Sequence, residues 1–305
     1  MNEASAKIGL AAGNVTRVAL PALFVGAVTI GFAPILVRLS QVGPSATAFW
    51  RVVLALPFLW LWLALERGGP IPPRHPSTWT DYRRLVIAGL FFTGDLAIWH
   101  WSINYTTIAN ATLLVNFAPV FVTLASWLLL RQRISRTFII GLATALVGTA
   151  ILIGASVELS RQYFFGDFLA LVAAAFYGGY QLSVKHLRRE FSVATIMTWN
   201  SLVMGPVLLP AALLAGETIL PANLQGWLVL LALAILIHIG GQGLIAFALA
   251  HLPATFSSVT LLLQPVMAAI FAWLLLSEAL SARQGVGGVI VLVGIIIARR
   301  GSQSG

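Results

Sequence analysis

Ten separate apolar runs, each close to the length that spans a bilayer, leave this chain few folds to choose from. Their cores lie near residues 18–40, 45–65, 83–104, 109–130, 136–155, 166–187, 192–214, 226–250, 254–277 and 281–299. A hydrocarbon layer about 30 Å thick takes roughly 17 to 25 residues of helix. Each run must satisfy its own backbone hydrogen bonds there, and none has the alternation of a membrane barrel strand. The expected fold class is therefore all-α and transmembrane. Composition agrees: 59% of the 305 residues are hydrophobic and 9% charged, against about 25% charged in soluble domains. The longest stretch between runs, Glu66 to Arg83, is too short to fold alone, so the function belongs among the helices.

A formal net charge of +9 would raise nucleic acid as a partner in a soluble chain. Its placement says otherwise. With the N-terminus in the cytoplasm and one crossing per run, the inner side holds Lys7, Arg17, Arg67, Arg74, Arg83, Arg84, Arg131, Arg133, Arg136, Lys185, Arg188, Arg189, Arg299 and Arg300, 14 of the 18 basic residues. That bias is the positive-inside pattern. It predicts a multi-pass protein of a bacterial inner membrane with both termini cytoplasmic, its basic excess facing anionic lipid rather than nucleic acid. The first run is too long for the apolar segment of a cleaved leader, and no small-residue cleavage site follows it. The Asn-x-Thr triplets at Asn14, Asn104 and Asn110 face the cytoplasm or hug the membrane and read as chance.

With no cysteine in the chain, disulfides and thiolate metal sites are excluded. Neither lysine, Lys7 or Lys185, follows the glycines of a phosphate loop, and no HExxH or GxSxG occurs. No ATP hydrolysis, metal centre, cofactor or enzymatic chemistry is expected.

Residues 111–148 align without a gap on residues 257–294. Pro119 meets Pro265, Trp127 meets Trp273, Ser135 meets Ser281, Gly141 meets Gly287 and Gly148 meets Gly294, at a constant offset of 146 (265 − 119); extended upstream, the offset brings Gly94 onto Gly240. Five crossings per repeat put the halves into the membrane from opposite sides. The expected architecture is two inverted five-helix repeats, residues 1–155 and 156–305, around a central cavity where a solute binds and access alternates.

These features carry a resemblance. Small residues, then Pro265, then an apolar run ending in WLLLSEALSARQGVGGVIVLVG resemble the second repeat of the EamA-type transporters of the drug/metabolite transporter superfamily. The whole chain is similar to that ten-helix arrangement, most of all to the bacterial aromatic amino acid exporters. The resemblance implies export of small metabolites through a cavity lined by inner helices, with the fifth and tenth helices peripheral. One departure is that the acidic residue after the ninth helix, Glu278, has Gln132 as its first-repeat counterpart, which favours a structural role at the turn over coupling.

Several polar side chains sit at depths where they are costly, about 2.5–3.5 kcal/mol for a carboxylate at a helix centre. Asp95 must face the bundle interior, either as an attractor for an ammonium group or proton, or as a protonated carboxyl bonded to a neighbour. His100 lies on a different face, so one of the two lines the cavity and the other meets an adjacent helix. Trp99 and Trp101 lie deep enough to stack on an aromatic substrate. The sixth and eighth runs are alike: Tyr177 and Gln181 surround Gly178-Gly179, and His238 and Gln242 surround Gly240-Gly241, each a polar pair with a point of close approach or local unwinding. Interhelical hydrogen bonding is the alternative role. Pro119 and Pro265 each remove a backbone donor, so the carbonyls of Val115 and Leu261 are candidates to be free, with Thr112, Asn116, Ser258 and Gln264 near the bends; a hinge or a static kink fits either proline. Arg51 reads as a guanidinium reaching the interface, with carboxylate binding as the alternative.

The substrate-binding set expected from sequence is Asp95, Trp101, Asn116, Tyr177, Gln181, His238, Gln242 and Gln264, with Pro119 and Pro265 as hinges. The expected activity is export of aromatic or large apolar amino acids and related metabolites, acting as a secondary transporter in the lipid bilayer and compatible with a monomer. Cationic drugs are the nearest alternative cargo; a channel and a membrane-embedded lipid-handling protein are more distant alternatives.

Overall fold

The computed structural model describes residues 3–68, 74–154 and 161–303. Among them, ten helical segments of membrane length follow one another. They are α1 (Glu3–Gly31, continued by Ala33–Leu39), α2 (Pro44–Val53 and Leu56–Arg67), α3 (Trp79–Ile103), α4 (Ile108–Val115 and Ala118–Leu128), α5 (Arg136–Ile153), α6 (Phe164–Leu187), α7 (Val193–Leu214), α8 (Leu224–Ala232, Leu233–Gln242 and Gly243–His251), α9 (Ala254–Thr260 and Leu263–Leu276) and α10 (Ala282–Gln303). Nine are apolar enough throughout to cross a bilayer; α6 is 24 residues long but carries Asp167 in its first turn and Lys185 and His186 in its last. The expected boundary between halves at 155/156 lies outside the described residues, as do the side chains of Lys7 and Asn14.

The outward faces identify the solvent. Trp60, Leu61, Leu65, Ile140, Val289 and Ile296 are each 54% to 68% exposed, a bare apolar surface that a soluble monomer would not carry. Polar groups start the helices instead. Thr78 and Asp81 form a reciprocal capping box on α3, and Thr107, Ser192 and Asn223 cap α4, α7 and α8 by accepting backbone N–H groups. Ser135 and Ser281, equivalent by the offset of 146, accept from the N–H of Phe138 at 3.1 Å and of Gln284 at 3.2 Å.

Proline placement explains the breaks. Pro34, Pro57 and Pro119 each stand in the first turn of the second piece of their helix, where the missing donor costs least. α4 breaks after Val115 and α9 after Thr260, within one residue of equivalent points in the two halves. The Leu261 carbonyl is not free, contrary to expectation, because the N–H of Gln264 reaches it at 2.9 Å in a tightened turn.

The packing obeys a pseudo-twofold. α3 lies on α6 and α8 on α1; α4 lies on α6 and α9 on α1; α2 packs on α7 and α5 on α10. Exchanging the halves leaves this set unchanged. The α5–α10 contact fixes the sense of the exchange: Gly141 faces Gly294 and Ala298, while Gly148 faces Gly287 and Val291. Numbers rise along one helix as they fall along the other, so two equivalent helices run antiparallel and the halves are inverted.

Two polar clamps tie α2 and α3 to α6, α7 and α8 at opposite ends. On the face that also carries Arg131, Arg133 and Arg188, called the basic face below, Arg74 bonds both Asp81 oxygens at 2.9 Å and pairs with Glu190, which Arg84 also reaches at 3.2 Å. On the opposite face Glu217 accepts the N–H groups of Ser45 and Ala46 at 3.2 and 2.9 Å, and the Trp50 indole donates to the Ile219 carbonyl at 2.7 Å.

Candidate functional site at the meeting of the halves

The interior between α2, α3, α6 and α8 is built on an aromatic column. Phe92 on α3 stacks on Tyr180 of α6, ring centres 4.3 Å apart at 15°, and Tyr177 follows one turn earlier at 6.3 Å and 17°. On the other side Phe92 lies parallel to His238 at 6.4 Å, and the Arg51 guanidinium sits 6.0 Å from the Phe92 ring centre. Helix α3 and helix α6 come this close because Gly94 and Gly179 leave room for Phe176 and Phe91.

Around the column the polar groups are only partly satisfied. Tyr180 accepts from Gln242 at 3.2 Å and from Asn200 at 3.3 Å, and Ser201 and His238 Nε2 share a hydrogen bond of 2.9 Å. Gln181 is buried with both amide atoms unpaired, and Arg51 Nε, Asn200 Oδ1 and His238 Nδ1 are also enclosed without partners. Asp95 is 8% exposed and makes no hydrogen bond or ion pair among the described residues. Native interiors leave few polar groups in this condition, and in a membrane protein the places that do so are those that admit ions or solutes.

Asp95 stands one turn beyond Phe92 on α3, in the field of Arg51 and close to Tyr177. His100, further along the same helix, lies in the field of Glu217 toward the opposite face, its ring centre 5.1 Å from that of Trp99 and tilted 53° to it. The two therefore occupy different levels of one interior. Tyr177, Gln181, Asn116 and Gln264 line a small space between the α4 and α9 breaks together with Val115, Pro119 and Ser258. It holds only 20 Å³, room for about one water. Asn116 is turned back on its own helix, donating to the Thr112 carbonyl at 2.7 Å.

Two expectations are corrected. Trp101 is 66% exposed on the outer surface of the bundle and joins none of these residues; Trp99, with its indole N–H enclosed and unpaired, is the inward tryptophan. Arg51 does not reach for the interface. Seven residues into α2, about 10 Å along its axis, it turns toward Phe92. The glycine pairs also part company: α8 adopts π-helical hydrogen bonding over Leu233–Gln242, whereas α6 stays α-helical through Gly178-Gly179. Phe92, Tyr180, Asn200 and Ser201 join the site with nothing in the sequence to single them out.

The sequence matches the EamA-like transporter family twice, over residues 17–154 and 164–300. The chain belongs to that family. Among curated relatives, it is 27% identical over 216 residues to the pseudopaline exporter CntI of Pseudomonas aeruginosa, covering 71% of this chain and 74% of the relative. It is 27% identical over 239 residues to a probable terminal-alkyne amino-acid exporter of Streptantibioticus cattleyicolor, covering 76% and 78%. A crystal structure of 18% identity superposes with a TM-score of 0.76 over 95% of this chain and 99% of the other, a likeness of fold.

The register of the two EamA-like segments, 147 at their starts (164 − 17) and 146 at their ends (300 − 154), lets the two mouths of this transporter be compared. On the opposite face Phe32 meets Phe271 edge-on at 5.3 Å, and Arg38 pairs with Glu278 across the halves. The counterparts of Phe32 and Phe271 on the basic face are Gly178-Gly179 and Ala125, and those of Arg38 and Glu278 are Lys185 and Gln132. Lys185 instead caps the end of α8, donating to the carbonyls of Leu249 at 3.2 Å and Leu252 at 2.7 Å. The basic face carries a half-open cavity of 530 Å³ lined by Gln132, Arg133, Ser135, Lys185, His251 and Thr255, among others, which shares no lining residue with the small central space. Glu278 thus acts across the halves rather than within its own turn.

Proposed function

We propose that this EamA-like transporter is a secondary exporter of amino acids with aromatic or large apolar side chains, working by alternating access in a bacterial inner membrane with both termini cytoplasmic. One observation carries the reading: an aromatic column flanked by enclosed, unpartnered polar groups of both signs lies where the inverted halves meet. Phe92, Tyr177 and Tyr180 suit a planar or bulky side chain, while Asp95, Gln181, His238, Gln242 and Gln264, with Asn116 at the α4 break, suit the polar end of the same solute. The exporter names of the relatives support the direction and the class.

In the conformation described, the opposite face is closed by Phe32–Phe271 and Arg38–Glu278, which have no such counterparts on the basic face, and the centre is too small for an amino acid. Loading from the basic side requires the pieces of α4 and α9 to part at their breaks, with Pro119 and Pro265 as hinges. The unpaired central groups then gain partners, and the halves rock so that Gln132 and Lys185 close on the basic face while the opposite pair opens. Both halves come from one chain, so a monomer suffices.

Cationic drugs are the second reading, favoured by Asp95 beside an aromatic column. Reconstitution into liposomes with a panel of labelled amino acids, with and without a pH gradient, separates the two. The exporter reading predicts saturable movement of phenylalanine, tryptophan or leucine; movement of a quaternary ammonium dye with no amino acid moved would replace it with the cationic one.

A further inference from the structure

Among the described residues Arg51 is a guanidinium deep in the interior with no ion pair. Its Nε is enclosed and unbonded, its guanidinium lies 6.0 Å from the Phe92 ring centre, and the four ion pairs among the described residues lie elsewhere. Among the described residues the carboxylate that acts on it is Asp95, with which it forms no ion pair. Taking two opposite charges out of water is costly, and their attraction offsets that cost only when they touch and their remaining hydrogen bonds are met. Here neither condition holds. A structural pair would have closed; this one has not, and the Phe92 ring beside Arg51 stands one turn from Asp95 on α3.

The hydrogen-bonding state of the neighbours points the same way. Tyr180 already accepts from Gln242 and Asn200, so its own O–H is the group left to donate, and it lies in the field of Arg51. A planar guanidinium and a phenol proton form a donor set that matches a carboxylate. Asp95, with no donor of its own from the protein, matches an ammonium.

We propose that Arg51 is the carboxylate-recognising residue of this transporter and Asp95 its ammonium-recognising counterpart, so that the cargo is a zwitterion seated between two opposite charges that the empty protein keeps apart. This rests on the exporter reading and sharpens it: α-amino acids are selected over the amine or the acid that shares their side chain. An amine leaves Arg51 unpaired and a simple acid leaves Asp95 unpaired, and a site that hydrogen-bonds a group rejects analogues lacking it far more strongly than a purely apolar pocket does.

The test is inhibition of labelled phenylalanine transport in liposomes by unlabelled phenylalanine, phenethylamine and 3-phenylpropionate, for wild type and for Arg51→Gln, Arg51→Lys and Asp95→Asn. Each variant is checked for monodisperse elution and unchanged thermal melting. Wild type is expected to favour phenylalanine at least tenfold over both analogues. Arg51→Gln should abolish the preference over phenethylamine while keeping that over phenylpropionate, and Asp95→Asn should do the reverse. Arg51→Lys, which keeps the charge and loses the fork, should weaken phenylalanine several-fold with phenethylamine unchanged, and it decides the matter if Arg51→Gln does not fold. Wild-type discrimination that survives in Arg51→Gln, or in Arg51→Lys when only that variant folds, would overturn the proposal and leave the exporter reading standing. Absence of any amino acid transport by wild type would remove both.

Discussion

Gly148 and Gly287 face each other across the α5–α10 crossing so closely that a Cβ built on either lies 2.8 Å from the carbonyl oxygen of the other. Because the two are not equivalents of each other, the reciprocal contact of Gly141 with Gly294 is what an inverted pair of halves requires. Backbone cannot yield as a flexible side chain can, so Gly148→Val or Gly287→Val should each cost about 1–3 kcal/mol by overpacking. Melting of the purified protein in detergent should fall for both by similar amounts, while Gly285→Val, with nothing near its Cβ position, should melt like wild type.

Gln242 is one of two donors to the buried Tyr180 hydroxyl. Gln242→Ala should weaken transport by about 1 kcal/mol of lost hydrogen bonding, close to a fivefold rise in half-saturation concentration, with unchanged yield of folded protein. Unaltered transport by both Gln242→Ala and His238→Ala would remove α8 from the site.

The Arg38–Glu278 pair is 64% and 48% exposed, which limits it to about 0–1 kcal/mol. Such a pair cannot hold the fold, but it can bias two conformations of similar free energy by up to about fivefold. The absence of cysteine gives a clean background for single thiols. In Glu278→Gln, a cysteine at Ser258 should react up to about fivefold faster with an impermeant reagent supplied from the opposite face, with no change in melting.

If the breaks in α4 and α9 are hinges, Pro119→Ala and Pro265→Ala should change the rate of transport more than the concentration at which it saturates, because the substituted alanine restores a backbone donor at the break and stiffens it. Stopped-flow counterflow in liposomes reads both quantities; an effect confined to saturation would mark the prolines as part of the binding surface instead.

The ten spans and their internal offset were legible because the bilayer imposes length and apolarity on every crossing, and because prolines, glycines and capping serines recur in register. The interior was legible only by residue type. Asp95, Gln181 and His238 betray themselves as polar groups that lipid would not tolerate, whereas Phe92 and Tyr180 look like any aromatic on an apolar helix. Trp99 and Trp101 differ by about 200° around α3, and no sequence signal says which of them faces inward. The sequence around Arg51 suits a guanidinium reaching the interface, because its true orientation depends on where α2 packs against α3 and α7, not on its own neighbours. The doublet Gly240-Gly241 was a true sign of irregular backbone, but Gly178-Gly179 is instead occupied by close packing against Phe121 and Phe91.

The central claim is that a solute is held where the two halves meet. Ser258 lines that space and is buried, so Ser258→Cys is a mild substitution that reports on it. In membranes of otherwise cysteine-free protein, saturating phenylalanine should slow alkylation of this thiol several-fold while leaving a thiol at exposed Ser281 unaffected. Equal alkylation of the Ser258 position with and without the panel of amino acids would contradict the account.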